Sequence, residues 1–149
     1  MASKWNPVWK WTHLYRQDFK GAKMTAEEIL KTKKSFAIIG ATSNKERYGY
    51  EVFEILHANG YQVFPINPKY AEIDGVTCYP SLMALNQPPD VLITALAPTN
   101  TEKVIDSVKS LGIETVWMPP GCWSDEAVKK CQQLELNFIY DECLVGILK

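Results

Sequence analysis

From residue 35 onward the chain alternates between two hydrophobic periods. Short, nearly continuous apolar runs stand at 35–40 (SFAIIG), 61–66 (YQVFPI), 91–96 (VLITAL), 114–118 (ETVWM) and 137–140 (NFIY). Runs this short, bounded by Gly, Pro and Asn, predict buried strands. Between them the apolar positions recur three and four residues apart. Residues 48–59 place Val52, Phe53, Ile55 and Leu56 on one side, and 101–111 and a segment from Ser124 to about 134 show the same helical period. Gly60 and Gly112 stop the first two helices, as a glycine just past a helix end does, and Ser124 caps the third. Asn67-Pro68 closes the second strand, Pro88-Pro89 and Pro98 flank the third, and Pro119-Pro120-Gly121 ends the fourth. A short edge strand is expected at 76–79, followed by a one-turn helix at 81–85. Strands alternating with helices through short loops imply β-α-β crossovers and a parallel sheet. The expected class is α/β: a doubly wound parallel sheet of five main strands plus one short edge strand, with helices on both faces.

The first 34 residues depart from this alternation. Asn6 is placed to cap a helix with Pro7 in its first position. Trp5, Val8, Trp9, Thr12, Tyr15 and Phe19 then follow at helical spacing. Thr25-Ala26-Glu27-Glu28 is a second start signal, a capping box. Residues 1–24 are therefore expected to form a tryptophan-rich extension, and 25–149 the α/β domain. The stripe of Trp5, Trp9 and Trp11 serves either a homodimer or partner surface, or a helix packed back on the sheet. Core packing is the commoner use of such a stripe.

Composition narrows the classes. A chain of 149 residues makes one domain, and at that size about 70% of the unfolded surface is buried on folding. A hydrophobic content of 46% and a charged content of 22% are those of a soluble globular protein. The net charge of -1 gives no bulk electrostatic case for nucleic acid or an anionic membrane, so any basic feature must be local. No apolar run approaches a membrane span, and no signal-peptide core follows the start. Cys78, Cys122, Cys131 and Cys143 have neither C-x-x-C nor zinc-ligand spacing, and His13 and His57 are the only histidines. No metal is expected, and reduced thiols in a cytoplasmic protein are.

In an open parallel sheet, ligands bind beyond the carboxyl ends of the strands, near the point where the winding reverses. Four loops become candidates: 40–49, 67–75, 97–100 and 119–123. Gly40 follows its strand as the first glycine of a dinucleotide fingerprint would, yet Ala41, Thr42 and Ser43 come next, and the following glycine is Gly49. The loop instead has hydroxyls at Thr42 and Ser43, cations at Lys45 and Arg47, and the N-terminus of a helix, a combination suited to phosphate. Read singly, Lys45 and Arg47 are also ordinary solvated loop charges. The second strand ends in Asn67-Pro68-Lys69, where an NAD enzyme of this fold carries an acid for the ribose hydroxyls. Neutral and cationic groups there suit a phosphorylated ribose, as in NADP or coenzyme A, and Asn67-Pro68 is equally a strand-ending turn.

The segments GATSNKERYGYEV (40–52), VFPINPKY (63–70), IDGVTCYPSL (73–82) and VWMPPG (116–121) resemble stand-alone CoA-binding proteins. These are small Rossmann-like domains similar to the CoA-binding domain of the succinyl-CoA synthetase α subunit. The resemblance covers roughly 33–143. It implies that Gly40, Ala41, Thr42 and Ser43 wrap the phosphates of coenzyme A, with Arg47 and Tyr48 beside them. Asn67, Pro68 and Lys69 would meet the ribose and adenine, Ala97, Pro98 and Thr99 would line the far side, and Pro120 and Gly121 the floor. Family members often carry a glutamine before the glycine that ends the penultimate strand; this chain has Pro119-Pro120, a departure on the pantetheine side. They also commonly carry a cysteine just beyond the last strand, matched by Cys143. That thiol either meets the CoA thiol or is a small buried core residue, the commoner role.

No catalytic group is expected. The synthetase's histidine-bearing second domain has no counterpart, and His57 reads as a helix-surface residue. Asp141 and Glu142 are adjacent, as in a solvated turn. Cys122 stands before a helix start, where a dipole can activate a thiol, but no base accompanies it in the sequence. The expected function is non-catalytic binding of coenzyme A or acyl-CoA. Two alternatives stay open: an NADP-dependent reductase, and a ligand-binding subunit active only with a second chain.

Overall fold

The computed structural model describes residues 22–149. Thr25 opens α1 (Ala26–Thr32) with a full capping box, its hydroxyl accepting from the Glu28 N–H while the Glu28 carboxylate accepts from the Thr25 N–H. There follow β1 (Ser35–Ile39), α2 (Tyr48–Ala58), β2 (Gln62–Ile66), β3 (Glu72–Ile73), β4 (Val76–Thr77), a short 3-10 turn (Leu82–Ala84) and β5 (Val91–Thr94). The chain ends with α3 (Pro98–Val108), β6 (Thr115–Met118), α4 (Asp125–Gln133), β7 (Asn137–Tyr140) and α5 (Leu144–Leu148).

The main sheet has five strands in the order β2-β1-β5-β6-β7, all parallel. The chain winds outward from β1 to β2, returns to β5 and winds outward the other way, so the topological switch lies between β1 and β5. Every residue of β5 and β6 is buried, as central parallel strands covered on both faces must be. Phe36, Ile38, Ile93, Trp117 and Ile139 face the side packed by α1, α2 and α5. Ala37, Leu92, Val116, Met118 and Phe138 face α3 and α4. Side chains of this kind contribute about 1.5–3 kcal/mol each when fully buried. Trp117, completely enclosed, satisfies its indole N–H on the Glu142 carbonyl at 2.9 Å.

Three elements differ from expectation. First, α3 begins at Pro98, with Ala97 as N-cap, not at residue 101. A proline that flanks a strand serves as well at the first helical position, where its missing N–H costs nothing. Second, α5 was not expected; its five residues are too few to show a period, and Leu144 and Val145 anchor it. Third, β4 pairs antiparallel with β3 in a hairpin turning on Asp74-Gly75, and in this stretch it is Tyr79 that bridges to the main sheet.

Both margins of the sheet carry a short segment of the same chain. At β2, the Asn67 N–H donates to the Tyr79 carbonyl at 2.9 Å and the Tyr79 N–H to the Pro65 carbonyl at 2.8 Å. Pro65 lies on this outer strand, where proline is tolerated. At β7, the Phe138 N–H donates to Ala22 at 3.1 Å and the Met24 N–H to Phe138 at 2.7 Å, with the Lys23 ammonium 4.5 Å above the Tyr140 ring. The expected aromatic helix from Pro7, with Trp5, Trp9 and Trp11, lies outside the described residues. No described helix is long and apolar enough to cross a membrane.

Candidate functional site: a cleft at the switch point

Two glycines shape the site. Gly40, at the end of β1, has φ +94°, and a Cβ there would lie 2.2 Å from the Ala95 carbonyl oxygen. Gly49, in the first turn of α2, would bring a Cβ to 2.4 Å from the Gly40 carbonyl oxygen. The ends of β1 and β5 and the start of α2 thus meet backbone to backbone. Gly49 performs the helix–strand packing that a third fingerprint glycine performs in a dinucleotide fold, with a longer turn between.

That turn is built from its own polar groups. The Thr42 hydroxyl accepts from the Asn44 N–H at 3.1 Å, the Asn44 side-chain oxygen from the Glu46 N–H at 3.0 Å, and the Asn44 carbonyl from the Arg47 N–H at 3.1 Å. Arg47 is the N-cap of α2 and makes no side-chain capping bond. The N–H groups of Tyr48 and Gly49, the first two of the helix, have no partner within it, and the helix dipole adds partial positive charge there. Asn67 ties the neighbouring loop to this turn: its amide N–H donates to the Ala41 carbonyl at 2.8 Å, and its oxygen accepts from the Lys69 N–H at 2.9 Å. The Tyr70 and Thr42 hydroxyls stand 3.1 Å apart.

The result is a cleft of about 960 Å³. Of the residues expected from sequence, Gly40, Thr42, Arg47, Tyr48, Asn67, Lys69, Ala97 and Gly121 line it. Ala41 is fully buried and contributes through the backbone that Asn67 holds. Ser43 and Lys45 are exposed and off the wall, as are Thr99 and Pro120, and Pro98 is absorbed into the start of α3. Pro68 faces an adjoining apolar cavity of about 370 Å³, with Ile66, Leu82, Met83 and Val104. Lining residues not assigned to the ligand from sequence include Asn44, Glu46, Tyr70, Leu96, Asn100 and Cys122. Two of them had a visible signal: Tyr70 completes the string begun by Asn67, and Cys122 follows Gly121. Asn100 was hidden by the late helix start.

The wall carries two cations, Arg47 and Lys69, and one carboxylate, Glu46. Neither cation belongs to an ion pair found among the described residues. The Thr42 hydroxyl, first among several groups, holds the Tyr70 phenol below its ordinary value. Burial, reinforced by Cys143, drives the Tyr48 phenol well above its own. Burial also raises the Cys122 thiol, in line with the structural role usual for a cysteine without a base and against the activation a helix start can give. Cys143 is exposed, not part of the core, and its sulfur lies 4.0 Å from the Tyr48 hydroxyl. It is the N-cap of α5, and the residues that anchor this helix in the core are Leu144 and Val145. His57 is exposed on α2 with its ring stacked on Phe53 at 5.7 Å, as a helix-surface residue.

This geometry can be set beside known proteins. A family model described as a CoA binding domain matches residues 34–148. An ADP-forming acetate–CoA ligase of Methanocaldococcus jannaschii is 32% identical over 81 residues, spanning 54% of this chain and 12% of the ligase. The chain thus corresponds to a small part of that enzyme's length. An uncharacterized protein, YneT, of Bacillus subtilis is 24% identical over 123 residues, covering 83% of this chain and 91% of its own. Among solved structures, a hypothetical protein from Pyrococcus horikoshii superposes with a TM-score of 0.76 at 31% identity, covering 80% of this chain and 84% of that one. With the family model spanning the whole sheet and every loop of the cleft, the chain belongs to the CoA binding domain family.

Proposed function

We propose that the cleft binds coenzyme A or an acyl-CoA, and that the chain binds this ligand without transforming it. One observation carries the reading: the α2 N-terminus, Arg47 and Lys69 converge on a single cleft at the switch point, and no ion pair among the described residues occupies either cation. A diphosphate meets the free N–H groups of Tyr48 and Gly49, and Arg47 supplies a forked donor. Lys69, at the end of β2, is placed for a ribose phosphate. A volume of about 960 Å³ suits an extended cofactor of this size. The reactive groups on the wall support binding over chemistry, since burial holds Cys122 and Tyr48 in their neutral forms.

The four free cysteines fit a reducing, cytoplasmic setting. Residues 25–149 form the binding unit in this reading, and the residues around Trp5, Trp9 and Trp11 form a contact surface for a second copy or a partner. Removing residues 1–21, which leaves the pairing of Ala22 and Met24 with β7 intact, should abolish that association and preserve ligand affinity.

The test is calorimetric titration of the reduced protein with coenzyme A, 3′-dephospho-CoA, NADPH and NAD. Binding of coenzyme A, weakened by loss of the 3′-phosphate, is the expected result. Binding of NADPH alone would replace this reading with a reductase, and silence from all four would refute it.

A further inference from the structure

We infer that Tyr70 sets the hydrogen-bond polarity of Thr42, so that the turn presents its ligand with a hydroxyl able only to donate. This deepens the proposed function and rests on it. A threonine hydroxyl has one donor and two acceptor positions. One acceptor position is taken by the Asn44 N–H at 3.1 Å. The Tyr70 hydroxyl, at 3.1 Å, is placed to take the other. With both filled from within the protein, the capacity left at Thr42 is its own O–H, and Thr42 lines the cleft.

In the empty cleft either oxygen of the Thr42–Tyr70 pair can donate. An anion at the α2 N-terminus selects one direction, because it accepts the threonine proton and leaves Tyr70 to donate inward. A phenol is the stronger acid of the two hydroxyls, so this is also its preferred direction. The chain of bonds then runs from Tyr70 through Thr42 to the anion, each bond polarising the next. A ligand group that must itself donate finds no acceptor at Thr42. The turn therefore favours an ionised phosphate over a hydroxyl or amide of similar shape. Tyr70 is in this sense a positioning residue: it acts on the ligand through Thr42. The Asn67 amide, bonded to the Ala41 carbonyl and the Lys69 N–H, keeps the two loops in register for it.

A double-mutant cycle on the full chain tests this, with coenzyme A and the phosphate-free fragment pantetheine as calorimetric probes. Tyr70→Phe should weaken coenzyme A binding about three- to tenfold, Thr42→Val about tenfold or more, and Thr42→Ser less than about twofold. Because Tyr70 acts through Thr42, the double variant should bind within about twofold of Thr42→Val alone. Any weak affinity for pantetheine should not move. Each variant should melt within about 4 °C of the wild type. Wild-type binding with unchanged affinity in Tyr70→Phe would overturn this inference and leave the functional reading standing. Losses that multiply in the double variant would also overturn it, since Tyr70 would then act independently of Thr42. A wild-type protein that ignores coenzyme A would overturn both.

Discussion

Replacing Gly49 by alanine should destabilise the protein, although alanine is the better helix former. In an unobstructed helix interior the change stabilises by about 0.5–1 kcal/mol. Here the new Cβ would sit 2.4 Å from the Gly40 carbonyl oxygen, roughly 1 Å inside an ordinary carbon–oxygen contact. The oxygen cannot retreat freely, because Gly40 is itself pressed against Ala95. The start of α2 must move, at the cost of about 1–3 kcal/mol that forced overpacking carries. The net loss centres on about 1 kcal/mol, or roughly 2–4 °C in melting midpoint for a chain of this size. Scanning calorimetry measures it directly. Gly146→Ala is the internal control: its Cβ meets only the Cys143 sulfur at 4.0 Å, so the midpoint should rise slightly. Coenzyme A affinity should fall in Gly49→Ala and hold in Gly146→Ala, since the displaced Tyr48 and Gly49 N–H groups belong to the cleft. A Gly49→Ala protein that melts at or above the wild-type midpoint would refute the backbone-contact argument.

Other outcomes follow from the same geometry. Arg47→Ala and Lys69→Ala should each weaken coenzyme A binding by about 1.5–3 kcal/mol, whereas Lys45→Ala, off the wall, should change it by less than about 0.5 kcal/mol, all by calorimetric titration. Asn67→Ala leaves the Ala41 carbonyl and the Lys69 N–H without their partner; it should lower stability by about 1–3 kcal/mol in chemical denaturation and weaken binding as well. Stability should also fall at alkaline pH. The Asp74 carboxylate raises the Tyr50 phenol from 10.0 to about 12, and burial raises the Cys131 thiol from 9.0 to about 12. Both groups stay protonated in the folded chain where the unfolded chain has released its protons. Their contribution is therefore intact below about pH 9 and lost as pH rises toward 12. Urea titrations across that window should show the decline, with a shallower slope in Tyr50→Phe.

How far the sequence discloses this structure depends on the length over which each signal acts. The strand at 35–39 and the helix from Tyr48 are legible because a continuous apolar run gives way to a clear helical period. Pro98 carries two local meanings, breaker and helix starter, and only the packing of α3 on the sheet decides between them. α5 is shorter than two turns and escapes periodic reading altogether. The same limit applies to the cleft. Gly40 and Arg47 announce themselves by following a strand. Gly49 reads as an isolated helix glycine until the Gly40 carbonyl is seen beside it. Tyr70 meets Thr42 across 28 residues of chain, and Asn67 reaches Ala41 across 26. No pattern in either segment declares those pairings. Cys143 caps α5 and is exposed, although its residue type favours the core.

The segments laid along the two margins of the sheet bear on how such a unit travels between proteins. An unpaired strand margin invites another chain to add to it. Here Tyr79 occupies the β2 side and Ala22 with Met24 the β7 side, while Pro65 withholds a donor on the outer strand. The matching portion of the Methanocaldococcus jannaschii ligase is 12% of that enzyme's length, and margins occupied in this way leave fewer free backbone groups for a neighbouring strand to add to.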